Sequence, residues 1–134
     1  MLPLLLLALW SPASLADEDL AKFQGTWKYE SMEAAGKAVD VTPFKETLLV
    51  LKDGNFTQGD AKGTFAIDAS KTPKTIDLKF ANGPLKEITL KGIYELDDTT
   101  YKLCSGKPGG DRPKAFDSKA KDGGAISILK KVKP

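Results

Sequence analysis

Apolar and polar residues alternate with a period of two over most of the chain beyond Gly25. The clearest run is Thr75-Ile76-Asp77-Leu78-Lys79-Phe80, with Ile76, Leu78 and Phe80 on one face and Asp77 and Lys79 on the other. Ile88, Leu90, Gly92 and Tyr94 repeat it. Such runs predict strands near residues 25–33, 46–52, 55–59, 62–68, 75–80, 87–96, 99–104, 114–118 and 125–131. The turns between them are chemically explicit. Asp53-Gly54 is a hairpin signal, Gly59-Asp60, Asp97-Asp98 and Asp122-Gly123-Gly124 close three more hairpins, and Asn82-Gly83-Pro84 forces another turn. Connections this short hold no crossover helix, so neighbouring strands must run antiparallel. The fold class is therefore all-β. An antiparallel meander of about eight or nine strands closes most easily into a small barrel, which removes sheet edges. An open or flattened sandwich is the alternative.

Two segments break the alternation. Asp17 to Phe23 reads as a short helix, acidic at its N-terminal end as the helix dipole favours. Leu20 and Phe23 share a face and can plug one end of a barrel. Gly25 ends the helix by allowing a tight turn into the first strand, and Trp27 then closes that end with a large flat ring. The second segment is Ser105 to Pro113, whose glycines and prolines mark a surface loop. It carries Arg112, the one arginine among 20 basic residues. A planar, multiply donating guanidinium in a chain that otherwise uses lysine points to stacking or bidentate pairing. Arg112 is the candidate anchor of this loop, an exposed surface arginine being the alternative.

Leu2 to Trp10 is an uncharged apolar run, followed by Ser14-Leu15-Ala16 and then Asp17-Glu18-Asp19. It is shorter than the ~20 residues needed to span a bilayer. Ser14 and Ala16 stand at the −3 and −1 positions of a cleavage site. The expectation is a signal peptide over 1–16, a domain over 17–134, a secreted or periplasmic location and no stable membrane anchor after cleavage. A membrane-surface anchor or a misassigned start is the alternative. The single cysteine, Cys104, excludes an intrachain disulfide. A secreted chain without disulfides fits a bacterial envelope better than an animal fluid.

Charge and composition narrow the chemistry. Lys and Arg total 20 against 18 acids, and the lysines alternate with apolar positions along strands rather than clustering. That is a solvated sheet surface, not a nucleic-acid footprint. There is no histidine, which removes the Ser-His-Asp and Cys-His catalytic arrangements and histidine-based metal sites. One cysteine builds neither a thiolate metal site nor a dithiol couple. Asp77 and Glu95 fall on outward positions and Asp97-Asp98 in a turn. The expectation is no enzyme, no catalytic residue, no metal and no cofactor.

Six segments, Gln24-Gly25-Thr26-Trp27-Lys28, Gly63-Thr64-Phe65, Lys74-Thr75-Ile76-Asp77-Leu78, Gly92-Ile93-Tyr94-Glu95-Leu96, Leu103-Cys104 and Asp111-Arg112-Pro113, stand in an order and spacing that resembles a secreted, lipocalin-like domain family abundant in planctomycete bacteria. The resemblance covers the chain from Asp17 onward. It implies a lipocalin-like barrel and an exported bacterial protein, and it carries no activity and no ligand residues. Fatty-acid-binding proteins and true lipocalins are similar only at Gly25-Thr26-Trp27. The final strand, Ile126-Ser127-Ile128-Leu129-Lys130-Lys131, has neither the arginine and tyrosine that read a carboxylate in the former nor the arginine that closes over the tryptophan in the latter. Lys130, Lys131 or Arg112 is left to take that closing place.

Trp27, Tyr29, Phe65, Phe80, Tyr94, Tyr101 and Phe116 are the aromatics placed on strands. They either line an apolar pocket or fill the interior, since an eight-stranded barrel is just wide enough for its own side chains. The first case is a non-catalytic binding module for a small apolar or amphiphilic ligand. The second is a solid-core protein-interaction or structural module of the cell envelope. The sequence names neither ligand nor protein partner.

Overall fold

The computed structural model describes residues 15–119 and 124–133. Most of the expected leader, and Asp122-Gly123 of the last turn, lie outside the described residues. The chain starts with helix α1 (Leu15–Phe23). The strands follow as β1 (Gly25–Ala34), β2 (Lys37–Val39), β3 (Leu49–Lys52), β4 (Asn55–Gln58), β5 (Ala61–Asp68), β6 (Lys74–Phe80), β7 (Thr89–Leu96), β8 (Thr100–Ser105) and β9 (Ala125–Lys131). Strands β3 to β9 pair in sequence order, all antiparallel, and β1 joins β3 on one edge and β9 on the other. Eight strands thus form a closed barrel, and β2 is an extra strand on the end of β1.

The closing pair is the most extensive junction of β1. It spans seven residue pairs, from Trp27 opposite Lys131 to Ala34 opposite Ala125, with one irregularity between Tyr29 and Ser31. Glu30 is the extra residue there. A single inserted residue reverses which side chains face inward, so Trp27 and Tyr29 face in before it and Met32 after it. On its other edge β1 pairs β3 only from Gly25 to Trp27 and β2 only from Met32 to Ala34. Lys28 to Ser31 have no strand partner on that side. A short 3-10 turn at Thr42–Phe44 lies against the gap, with the Phe44 ring 5.9 Å from that of Tyr29.

Helix α1 plugs one end. Phe23 is wholly buried, edge-on to Phe65 at 5.6 Å and to Tyr101 at 5.0 Å, with Tyr94 at 5.2 Å. A helix leaves its last carbonyls without partners, and here side chains take three of them. Gln24 Nε2 donates to Leu20 O at 3.0 Å, Lys131 Nζ to Lys22 O at 2.6 Å, and Trp27 Nε1 to Phe23 O at 2.9 Å. Lys131 also sits over the Trp27 ring, 5.0 Å from its centroid. A lysine thus covers the tryptophan from the final strand. Gly25, at φ 129°, makes the turn from α1 into β1 in a backbone region that side chains strain. Asp19 is the buried polar foot of the helix, accepting from Tyr94 Oη at 2.7 Å and Lys74 Nζ at 2.9 Å.

The segment expected as a strand at 114–118 is not one. Residues 106–119 form an irregular strap along the outside of β6 to β8. Pro113 fixes the backbone and lacks the N–H a ladder needs. The strap attaches instead through single bonds: Gly106 N to Lys91 O, Gly109 N to Thr89 O, and Ser118 Oγ between Gly36 N and Glu33 Oε2. Ile93 and Cys104, paired across β7 and β8, are buried although they point away from the interior. Phe116, expected among the interior aromatics, lies in this strap, with Lys102 Nζ 4.7 Å from its ring.

Arg112 extends from the strap to β6 and β7. Its Nη1 donates to Ile76 O at 3.1 Å and Gly92 O at 2.8 Å, and its Nη2 to Asp77 Oδ1 at 2.6 Å. Ile76 and Gly92 are directly opposed in the β6–β7 ladder, so one planar group reaches both strands and a carboxylate. An ammonium presents its donors from a single atom and does not reproduce that fork.

Two consequences are measurable. Trp27→Ala removes a fully buried ring and its bond to the helix, and should destabilise the protein by about 3–5 kcal/mol in denaturant titration. Arg112→Lys keeps the charge and should speed amide exchange across Gly106–Pro113 while leaving the β8–β9 amides protected. An exchange profile identical to the parent would make Arg112 a bystander.

Candidate functional site

The barrel interior is filled unevenly. At the plugged end Phe23, Trp27, Phe65, Tyr94 and Tyr101 occupy the space between the strands. Towards the other end inward positions are small: Ala61 and Gly63 on β5, Ser105 on β8, Ala125 and Ser127 on β9. Gly63 is opposite Phe56, and a Cβ there would come within 2.8 Å of the Phe56 ring. Phe56 therefore lies flat over Gly63, edge-on to Phe80 at 5.2 Å, and the two rings form one wall.

What remains is a largely enclosed cavity of about 220 Å³. Leu49, Ile76, Leu78, Leu90 and Leu103 complete its apolar wall with Phe56 and Phe80. Its polar groups are Tyr29, Gln58, Tyr101, Ser105 and Ser127, and no charged side chain lines it. Gln58 Nε2 donates to Tyr29 Oη at 2.9 Å. That leaves the phenol proton and the Gln58 carbonyl oxygen to be directed elsewhere. Ser127 is 6 % exposed, and its hydroxyl makes no hydrogen bond among the described residues. It lies opposite Met32 of β1 and Leu103 of β8, so it faces the cavity. Phe80 also borders an apolar outer hollow of about 350 Å³ formed with the turn Asn82–Leu85. Phe80 therefore lines both hollows.

Burial holds the Tyr29 phenol above its ordinary range against the opposing effect of the Gln58 bond. Burial does the same for Tyr101, with the neighbouring Tyr29 adding to it. Tyr94, beneath the helix, is raised first by burial and then by its bond to Asp19. These phenols are neutral donors at physiological pH. Burial also raises the Cys104 thiol, which donates to Ala115 O at 3.7 Å. It is a packed thiol under the strap, with no attacking thiolate.

Of the aromatics read from the sequence as pocket lining or filling, Tyr29, Phe80 and Tyr101 border the cavity, whereas the three named site residues stand apart from it. Gly25 and Trp27 are at the plugged end, Arg112 is on the outside, and none of the three lines the cavity. The polar lining was not singled out from the sequence, because Ser105, Ser127 and Gln58 point inward only once strand register is known. A hollow of about 750 Å³ is an open groove outside the plugged end, bordered by Leu15, Lys71, Pro73, Leu96 and Phe116. Leu15 precedes the expected cleavage point, so a chain beginning at Asp17 lacks that wall. Among the described residues no group of acids and cysteine is placed to hold a metal ion, and no helix is long and apolar enough to cross a membrane. Comparisons with protein-family models, with curated proteins and with solved structures gave no match.

The raised phenols set an alkaline limit on the fold. Their folded pKa values lie above the unfolded value of about 10, so the folded state holds more protons above that pH. Their contribution is complete below about pH 10 and is lost as pH rises beyond it. The urea midpoint should be level from pH 7 to 9 and fall above about pH 10, by up to ~1.4 kcal/mol per pH unit for each buried phenol. Tyr101→Phe should flatten that fall.

Proposed function

We propose that this protein is an exported, non-catalytic binding barrel that holds a small apolar or amphiphilic ligand in the half-filled interior. The observation that carries the reading is the 220 Å³ cavity, mostly apolar in its lining and open to the hydroxyl of Ser127, which no described protein group bonds. A cavity with a few convergent polar groups in an apolar lining is the usual form of a small-molecule site. The uncharged Leu2–Trp10 run and Ser14-x-Ala16 support export to a secreted or periplasmic location. The likeness to a secreted lipocalin-like family of planctomycete bacteria supports the same placement. With no histidine and a neutral Cys104 thiol, the proposal includes no catalytic step, no metal and no cofactor. The balanced, lysine-rich surface argues against a nucleic-acid partner.

The aromatic cluster that fills the plugged half favours a second reading, a solid-core interaction or structural module of the cell envelope. Native mass spectrometry of protein purified from its own host separates the two. A small co-purifying mass, absent from an Ala125→Leu variant that fills the cavity, is the outcome expected. A bare chain mass, with Ala125→Leu raising stability at no cost in retained ligand, would leave the second reading.

A further inference from the structure

If the cavity binds a ligand as proposed, its lining also fixes the chemical class. We propose that it selects an uncharged molecule of about eight to ten non-hydrogen atoms carrying one hydroxyl or carbonyl group, and rejects carboxylates and amines of the same shape. The size follows from the volume, since a cavity of about 150 Å³ holds benzene and this one measures about 220 Å³. The charge follows from the lining. An ion moved into an apolar site must be paired or it is strongly penalised, and no lysine, arginine, aspartate or glutamate reaches this cavity. Lys28, Lys79 and Lys130 are exposed and alternate with inward Trp27, Leu78 and Leu129, while Lys74 and Lys131 are held at the plugged end by Asp19 and the Lys22 carbonyl.

The head group follows from what is left unpaired. Ser127 offers a hydroxyl with no protein partner, 94 % withdrawn from solvent by its 6 % exposure. The register opposes it to Met32 on β1 and Leu103 on β8, with Tyr29 and Ser105 at diagonal positions on the same two strands. Tyr29 already accepts from Gln58 Nε2, so it has its own proton to give. The cavity therefore presents the phenol O–H groups of Tyr29 and Tyr101, one amide acceptor, the Gln58 Oε1, and two serine hydroxyls that serve either way. A ligand hydroxyl or carbonyl is satisfied by that set. A carboxylate would find hydroxyl donors but no cation to balance its charge, and an ammonium would find no carboxylate.

Four probes on one skeleton test this: ethylbenzene, 2-phenylethanol, phenylacetate and 2-phenylethylammonium. Each is titrated by calorimetry at pH 7.5 against the full mature chain and against Ser127→Ala. 2-Phenylethanol should bind more tightly than ethylbenzene and at least about tenfold more tightly than either ion. In Ser127→Ala the alcohol should lose about three- to tenfold, the worth of one hydrogen bond, while ethylbenzene binds as before. An ion binding as tightly as the alcohol would overturn the selection for neutral heads and leave cavity binding standing. Equal loss of alcohol and hydrocarbon in Ser127→Ala would overturn the assignment of Ser127 to the head group. Binding of none of the four would overturn the binding reading itself and this inference with it.

Discussion

The pairing of β1 with β9 is the constraint on which the rest of the structure depends. Once those strands meet over seven residue pairs, the eight strands close on themselves and set the volume inside. A barrel of that size has room for its own inward side chains and little more. What differs from one such barrel to another is how that fixed volume is divided. Here five large aromatic rings crowd the end of the barrel under α1, and serine, alanine and glycine take inward positions further up. The plug and the cavity are two results of one allocation. The bulge at Glu30 makes the allocation possible. Without it, the inward phase set by Trp27 and Tyr29 would continue to Ser31 and Glu33, placing a carboxylate opposite the cavity and Met32 in solvent.

The outside of the barrel is unusual in being partly a core as well. β7 reads Gly92-Ile93-Tyr94 with all three residues buried, because Tyr94 packs under the helix while Ile93 is covered by the strap. A strand buried on both faces cannot shift register without exposing apolar area on one of them. Arg112 strengthens this by contacting the carbonyls of an opposed pair on β6 and β7. The helix from within and the strap from without therefore hold the same strands, and the rest of the wall, from β3 to β5, relies on short tight hairpins.

Alternation and turn chemistry made the barrel legible before any coordinates. The runs at Thr75–Phe80 and Ile88–Tyr94, and the turn at Asp53-Gly54, are strong local signals, and the helix with Leu20 and Phe23 on one face followed from its acidic start. β2 was not legible. Its hairpin turns at Ala35-Gly36, where Ala35 takes a φ of 52°, and alanine gives no warning of a left-handed residue. The reading of residues 114–118 as a strand failed for the opposite reason. Lys-Ala-Phe-Asp-Ser alternates well enough, but Ala115 and Phe116 cover the outside of the barrel and have no ladder to join. Arg112 stood out because of its rarity in the chain. The cavity was hidden because it is defined by small and polar residues whose direction depends on register and on a bulge that leaves no local mark.

The cost of the empty space bears on its meaning. At about 24 cal/mol per Å³, a dry cavity of 220 Å³ forgoes on the order of 5 kcal/mol, comparable with the whole stability of many domains. Water bonded to Ser127 and Gln58 would reduce that figure but not remove it, since most of the wall is apolar. The remedy is simple in sequence terms, because Ala125, Ser127 and Ser105 accept larger side chains without altering strand pairing. The plugged end shows that this chain packs aromatic rings closely where packing alone is at stake. A loosely filled, uncharged, hydroxyl-bearing space beside that cluster is most economically understood as volume kept for something other than the protein's own side chains.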